Sequence, residues 1–248
     1  MNNKILGIDI GGSGIKGAIV DIKTGKLLTE RFRIETPAGG KPQDIINVLI
    51  ELTEHFKWRG KIGCGFPAVV KSGVICTAAN IDNSWVGIDL AKELKHKYKL
   101  NATIINDADA AGLAEIKFGA AKNKKGTIIM TTIGTGIGTA VFYNGVLLPN
   151  TEFGHLEIKG EIAEFRASDA ARKREDLSLK KWSKRLNRYI AELEKLLWPD
   201  MIIIGGGIAK KKEKIADLLK AKCELKFAEF GNEAGIIGAA LYATNTKL

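Results

Sequence analysis

Gly7-Ile8-Asp9-Ile10-Gly11-Gly12-Ser13-Gly14-Ile15-Lys16-Gly17 lies at the start of the chain, continues as Ala18-Ile19-Val20-Asp21 and meets a turn at Thr24-Gly25. A counterpart, Met130-Thr131-Thr132-Ile133-Gly134-Thr135-Gly136-Ile137-Gly138, continues as Thr139-Ala140-Val141-Phe142-Tyr143 to a turn at Asn144-Gly145. Each reads as an apolar strand, a glycine loop, a second strand and a hairpin turn. Glycines let the backbone turn tightly and bring its N–H groups close to an anion, while Ser13 and Thr135 add hydroxyl donors. A third loop, Gly205-Gly206-Gly207, follows the buried strand Met201-Ile202-Ile203-Ile204. Between the first two lies Asn106-Asp107, delivered by the strand Ala102 to Ile105. Ligands of open α/β sheets gather at the carboxyl ends of strands, where these loops and the aspartate fall. The arrangement predicts a phosphoryl-transfer cleft.

Gly12-Ser13-Gly14-Ile15-Lys16-Gly17 also fits the G-x-G-x-x-G pattern of dinucleotide-binding folds, which needs a helix directly after the glycines. Here the glycines run into strand residues and a turn, with Leu27-Leu28 resuming beyond it. That leaves no room for the helix.

The 248 residues are 45% hydrophobic, enough for one large domain or two small ones. No apolar run approaches the roughly 18 residues that span a bilayer, so a soluble, cytoplasmic protein without membrane partners is expected. Cys64, Cys76 and Cys223 lack metal-type spacing and read as buried free thiols. His55 and His96 read as surface residues. The net charge of +10 favours acidic partners without choosing among nucleic acid, membrane and a polyanionic substrate. Its lysine runs include Lys122, Lys124 and Lys125, and Lys210, Lys211 and Lys212. They read either as solvated faces or as an anion groove.

Periodicity predicts an amphipathic helix over 42–57 with Ile45, Val48, Leu49, Leu52 and Phe56 on one face. A strand at 61–66, a hairpin at 69–77 and a helix at 88–98 follow. The stretch 177–198 predicts a helix carrying Leu186, Tyr189, Ile190, Leu193, Leu196 and Leu197, ended by Pro199-Asp200. A lysine-rich helix is expected after the third glycine loop, and a small-residue helix at 232–243. No linker breaks the chain.

These motifs resemble those of the ROK sugar kinases, a family within the actin-like ATPase and hexokinase fold. Asp9-Ile10-Gly11-Gly12-Ser13-Gly14 resembles the fold's first phosphate motif and Ile133-Gly134-Thr135-Gly136-Ile137-Gly138 its second. Asn106-Asp107-Ala108-Asp109 is similar to the catalytic loop, and Glu152-Phe153-Gly154-His155 to the sugar-binding Glu-x-Gly-His element. Within the family the chain is most similar to the polyphosphate-dependent glucokinases, through Gly65-Phe66-Pro67-Ala68-Val69-Val70, Asn80-Ile81-Asp82-Asn83-Ser84-Trp85, Pro149-Asn150-Thr151-Glu152 and Ala163-Glu164-Phe165-Arg166-Ala167-Ser168. Typical members carry a cysteine-rich zinc motif after the histidine. The segment from His155 to Glu164 has no cysteine, so no structural zinc is expected. Ser13 replaces a usual threonine and Leu179 a usual aromatic.

The resemblance implies an α/β, two-lobed, ribonuclease H-like fold with duplicated βββαβα units and a cleft between the lobes. One lobe is expected over 1–106 with the helix at 232–248 packed on it, the other over 107–231. It implies a homodimer, Mg²⁺ as cofactor, and glucose phosphorylation from inorganic polyphosphate or ATP, with no nucleic-acid partner. An ATP-dependent glucokinase or mannokinase is the alternative. A ROK repressor is set aside because Gly7-Ile8-Asp9 follows Met1 too closely for a preceding helix-turn-helix. A filament-forming relative is set aside because it has no use for the sugar motifs.

Asp107 is assigned as the general base that receives the proton of the sugar's 6-hydroxyl. Read without the surrounding motifs, it is better taken as the cap of a helix beginning at Ala108. Asn80, Asn106, Glu152, His155 and Glu164, with Asp107, are the sugar-binding positions the resemblance implies. Gly11, Gly12, Ser13, Gly14, Thr132, Gly134, Thr135, Gly136, Gly206 and Gly207 are the phosphate-binding ones. Asp9 is expected to orient Mg²⁺ through water. Lys16 either reaches toward the donor or is an ordinary strand-edge lysine.

Overall fold

The computed structural model describes residues 3–79 and 81–244, which leaves the predicted sugar ligand Asn80 outside the described residues. The chain divides into two compact units, residues 1–114 with 233–248, and residues 115–232.

In the first unit, β1 (Lys4–Gly11) and β2 (Gly14–Asp21) form an antiparallel hairpin across Gly12-Ser13. No helix follows the glycines, as the strand chemistry of Ala18-Ile19-Val20 predicts. β2 pairs at its far side with β3 (Lys26–Leu27) and β4 (Phe32–Ile34). After α1 (Pro42–His55), β5 (Ile62–Phe66) joins β1 in parallel. A hairpin of β6 (Val70–Lys71) and β7 (Val74–Ile75) leads to α2 (Leu90–Tyr98), β8 (Ala102–Asn106) and α3 (Asp107–Lys117). β8 runs parallel to β5, so β1, β5 and β8 point their carboxyl ends the same way. The apolar face of α1 (Ile45, Ile46, Val48, Leu49, Leu52) packs with Leu6, Ile8, Ile10 and Cys64 in the core.

In the second unit, β9 (Thr127–Ile133), β10 (Ile137–Tyr143) and β11 (Val146–Leu148) form a meander. A small hairpin of β12 (Glu157–Ile158) and β13 (Glu161–Ile162) precedes α4 (Ala163–Ala167), α5 (Asp169–Arg174) and α6 (Leu179–Leu197). β14 (Met201–Gly205) lies parallel to β9, and β15 (Glu224–Phe227) lies parallel to β14. Trp182, Leu186, Tyr189, Ile190 and Leu193 of α6 fill the core over Ile129, Ile202 and Ile204. The helix expected after the third glycine loop is instead a 3₁₀ segment, Gly206–Lys211, followed by the single turn α7 (Lys212–Ile215).

The last helix, α8 (Ala234–Tyr242), belongs to the first unit. It lies so close to β1 and β5 that a Cβ on Gly7 or Gly63 would collide with its backbone. The first unit runs through Ala114, inside α3, and the Ala110 carbonyl lies against Gly238 of α8. Cys64 is buried, and burial pushes its thiol up to about 12. Cys223 is half-buried. Cys76 is exposed, contrary to expectation: it follows a strand of two residues, which ends before the cysteine. His55 and His96 are exposed, and His55 stacks on Phe32.

Candidate active site

The first unit carries the base and one phosphate loop. β8 ends at Asn106, whose Oδ1 accepts the backbone N–H groups of Ala108 (2.9 Å) and Asp109 (3.0 Å). Its amide nitrogen donates to the Ala68 carbonyl at 3.1 Å. Asn106 is therefore the N-cap of α3, and the capping role that competed for Asp107 belongs to its neighbour. Asp107 is half-buried at the head of the helix, with Oδ1 accepting from Ala108 N at 2.8 Å. A carboxylate in a helix's first turn is stabilised in its charged form by the helix dipole.

Asp9, near the end of β1, is half-buried, and desolvation raises its carboxyl above the usual range against the attraction of Lys16. Lys16 Nζ lies 3.4 Å from Asp9 Oδ2, with only 21% of its side chain exposed, so it is no ordinary strand-edge lysine. The Gly11 and Ser13 carbonyls of the turn are held from outside: Thr36 Oγ1 donates to Gly11 O, and the Arg33 guanidinium to Ser13 O. Among the described residues no group of three or more His, Cys, Asp or Glu side chains could hold a metal ion. A single half-buried carboxylate beside a phosphate loop suits a Mg²⁺ that keeps its waters and takes its other ligands from phosphate oxygens.

The second unit gathers the sugar motif. Gly154 sits against β10 where a Cβ would strike the Ile137 carbonyl, and this close approach seats the 3₁₀ turn Phe153–His155 on the strand. Thr139 Oγ1 fastens it by accepting from Phe153 N at 3.1 Å and donating to Thr151 O. His155 lies between two carboxylates, with Nε2 3.6 Å from Glu164 Oε1 and Nδ1 3.9 Å from Glu152 Oε2. Glu164 is not the exposed helix-start carboxylate that its sequence position also allows. Its side chain is 12% exposed, and Oε2 accepts from Ile137 N at 3.2 Å, the first residue after the second glycine loop. Burial pushes Glu152 above the usual glutamate value, Glu164 adds to the rise, and His155 opposes it.

The second and third glycine loops adjoin. Gly205 pairs with Thr132, and Gly206, at φ +78°, has no space for a Cβ beside the Ile133 backbone. Gly134 O accepts from Ala170 N of α5 at 3.2 Å. Thr135 is exposed at the loop tip, and Thr132, Gly134 and Gly136 are half-buried.

The sequence pattern of the ROK family matches residues 5–167 of this chain. The chain belongs to the ROK family. It is 46% identical over 239 residues to the polyphosphate glucokinase of Mycobacterium tuberculosis (strain CDC 1551 / Oshkosh), covering 95% of this chain and 89% of that protein. The inorganic polyphosphate/ATP-glucomannokinase of Arthrobacter sp. strain KM superposes with a TM-score of 0.95 at 42% identity, covering 99% of this chain and 100% of that one. A ROK family glucokinase from Streptomyces griseus, in complex with glucose and AMPPNP, shares the fold with a TM-score of 0.82 at 22% identity, over 98% and 99% of the two chains. The fold is thus the expected actin-like ATPase/hexokinase fold.

On this ROK fold the lysine runs separate. Lys122, Lys124 and Lys125 precede β9, at the end of the strand opposite the Gly134 loop and roughly 20 Å from it at strand rise. Lys124 is also neutralised by Glu224 at 2.8 Å. Lys210, Lys211 and Lys212 directly follow the third loop. Lys210 and Lys212 are exposed, while Lys211 is tied to Asp169 at 2.7 Å. Sequence reading also missed Arg33 and Asp169. Arg33's signal, a basic residue in a strand opposite Lys16, needs the β2–β4 register to be seen.

Proposed function

We propose that this ROK enzyme transfers the terminal phosphoryl group of inorganic polyphosphate to the 6-hydroxyl of glucose, with ATP as a second donor. The observation that carries the reading is identity of 46% across 95% of the chain with a polyphosphate glucokinase.

In this reading Glu152, His155 and Glu164 bind the sugar's hydroxyls. Carboxylates accept directional hydrogen bonds, and the imidazole between them donates one. Asn80 is a further ligand, and Asn106 contributes the amide hydrogen its Ala68 bond does not use. Asp107 accepts the proton of the 6-hydroxyl as that oxygen bonds to the terminal phosphorus. The bridging P–O bond breaks, and the departing chain is one phosphate shorter. The N–H groups of Gly11 to Gly14, of Gly134 to Gly136 and of Gly206 and Gly207, with the hydroxyls of Ser13, Thr132 and Thr135, are the groups that bind donor phosphates. Lys16 supports them with charge. Through water, Asp9 would hold a Mg²⁺, which would supply charge neutralisation on the donor phosphates. Lys210, Lys211 and Lys212 serve an extended polyanion better than a nucleotide, whose base needs a pocket rather than charge.

No helix of the described residues is long and apolar enough to cross a membrane. The cytoplasm, where thiols stay reduced, suits the free Cys64, Cys76 and Cys223. The homodimer implied by family resemblance belongs to the reading too, with exposed Tyr143, Val146 and Leu148 at a sheet edge as apolar surface for it. Phosphorus NMR of the protein mixed with glucose, Mg²⁺ and polyphosphate tests the donor. A glucose 6-phosphate resonance growing as chain-interior phosphate declines supports it, and product only after ATP is added removes polyphosphate as donor.

A further inference from the structure

Elsewhere in the second unit, ion pairs bring at most two cations to one carboxylate. Arg174 and Arg185 converge on Glu175, and Lys124 and Lys226 on Glu224. Asp169 is different. Its carboxylate, 10% exposed, receives Lys211 Nζ at 2.7 Å, Arg172 Nε at 2.7 Å and Lys173 Nζ at 3.3 Å. Three positive charges therefore meet one negative charge, an uncompensated excess in one place.

That place is built. Asp169 is the first residue of α5, capped by Ser168, whose Oγ accepts from Ala171 N at 3.1 Å. The next residue, Ala170, donates to Gly134 O of the second glycine loop, and Lys211 arrives from the segment that follows the third. Arg172 and Lys211 also stand over one face-bearing ring: their charged groups lie 5.5 and 5.6 Å from the centroid of Trp182. Trp182 is itself fully buried and fixed by its Nε1 donating to Ala167 O at 2.8 Å. Cations held by both a carboxylate and an indole lose little further freedom when they bind an anion, which is the gain of preorganisation.

We propose that Asp169 is a positioning residue of the donor site, holding Lys211, Arg172 and Lys173 as a cationic seat for phosphates of an inorganic polyphosphate chain beyond the one transferred. The proposal rests on the polyphosphate reading above and gives it a location. The carboxylate sets the direction of the cations without cancelling them, and Lys210 and Lys212 on either side of Lys211 extend the positive surface.

The test is calorimetric titration of the full chain with long-chain inorganic polyphosphate at several salt concentrations, with steady-state kinetics in parallel. Asp169→Asn is expected to weaken polyphosphate binding and raise its KM about tenfold, roughly the loss of one charge-assisted contact. The glucose KM is expected to stay unchanged, and Asp169→Glu to restore much of the affinity. Lys173→Ala removes a side chain that is 69% exposed, so it keeps the fold, and is expected to reduce the slope of log affinity against log salt by about one. A cluster that only staples α5 would shift the melting temperature and leave that slope alone. Unchanged polyphosphate affinity and salt slope in Asp169→Asn and Lys173→Ala, with the unmodified enzyme still using polyphosphate, overturn the seat and leave the proposed function standing. If the enzyme turns over ATP alone, the donor reading fails. The seat then stands on Asp169-dependent binding of polyphosphate and falls if the unmodified protein does not bind it.

Discussion

Replacing Asp169 by asparagine has a cost that depends on pH in a way the geometry fixes. Burial disfavours the charged carboxylate, but hydrogen bonds from Lys211, Arg172 and Lys173 outweigh it and hold the group down at about 2, against 3.8 in an unfolded chain. A depressed carboxyl stabilises the fold above its unfolded value and loses that contribution as pH falls through the folded value. The difference, at about 1.4 kcal/mol per pH unit, is worth about 2 kcal/mol at neutral pH. About nine-tenths of it survives at pH 4 and about half at pH 3. Asparagine cannot ionise, so Asp169→Asn should be about 2 kcal/mol less stable at pH 7 and the gap should narrow between pH 4 and pH 2. Urea unfolding followed by tryptophan fluorescence at pH 7, 4 and 3 measures it through the midpoint and slope. A gap that is absent at pH 7, or the same size at pH 7 and pH 3, would refute the claim that these three cations stabilise an ionised Asp169.

Asp107→Asn should lower kcat by roughly two to four orders of magnitude while glucose binding, read by calorimetry, is retained, because the Asn106 side chain still accepts from Ala108 N and Asp109 N and holds the head of α3. Turnover that survives removes Asp107 from the proton transfer. Glu152 titrates above the usual glutamate value, so the glucose KM should rise as pH falls through that raised value, earlier than an ordinary glutamate would dictate. Glu152→Gln should abolish this acid limb. It should cost no stability at pH 7, since the fold disfavours the ionised form; an acid limb that persists assigns it to another group. Gly154→Ala should raise the glucose KM more than it changes the polyphosphate KM, because the new Cβ must push the 153–155 turn off Ile137; equal effects on both would deny the turn its sugar role.

The hairpins β1–β2 and β9–β10 were legible because glycine loops interrupt strongly apolar strands, a local signal. Asn106 and Asp107 were legible for the same reason, at the end of a short buried strand. Which of the two caps α3 was not, since both residue types cap helices and only the hydrogen bonds to Ala108 and Asp109 decide. β4 and β15 escaped notice because Phe32-Arg33-Ile34 and Glu224-Leu225-Lys226-Phe227 are too short to show a period and are strands only through their neighbours. The Glu152, His155 and Glu164 cluster came from resemblance; no spacing rule brings a residue of α4 to the 3₁₀ turn before it. Asp169 and Lys211 are 42 residues apart, so their pairing depends on how β9 and β14 bring two glycine loops together.

The central claim is the donor. Glucose 6-phosphate formation by the purified protein with Mg²⁺ should be measured with long-chain polyphosphate and with ATP at matched phosphate concentration. The account predicts a higher kcat/KM with polyphosphate, and one that falls more steeply as salt is added. Equal or greater efficiency with ATP at every salt concentration would contradict it.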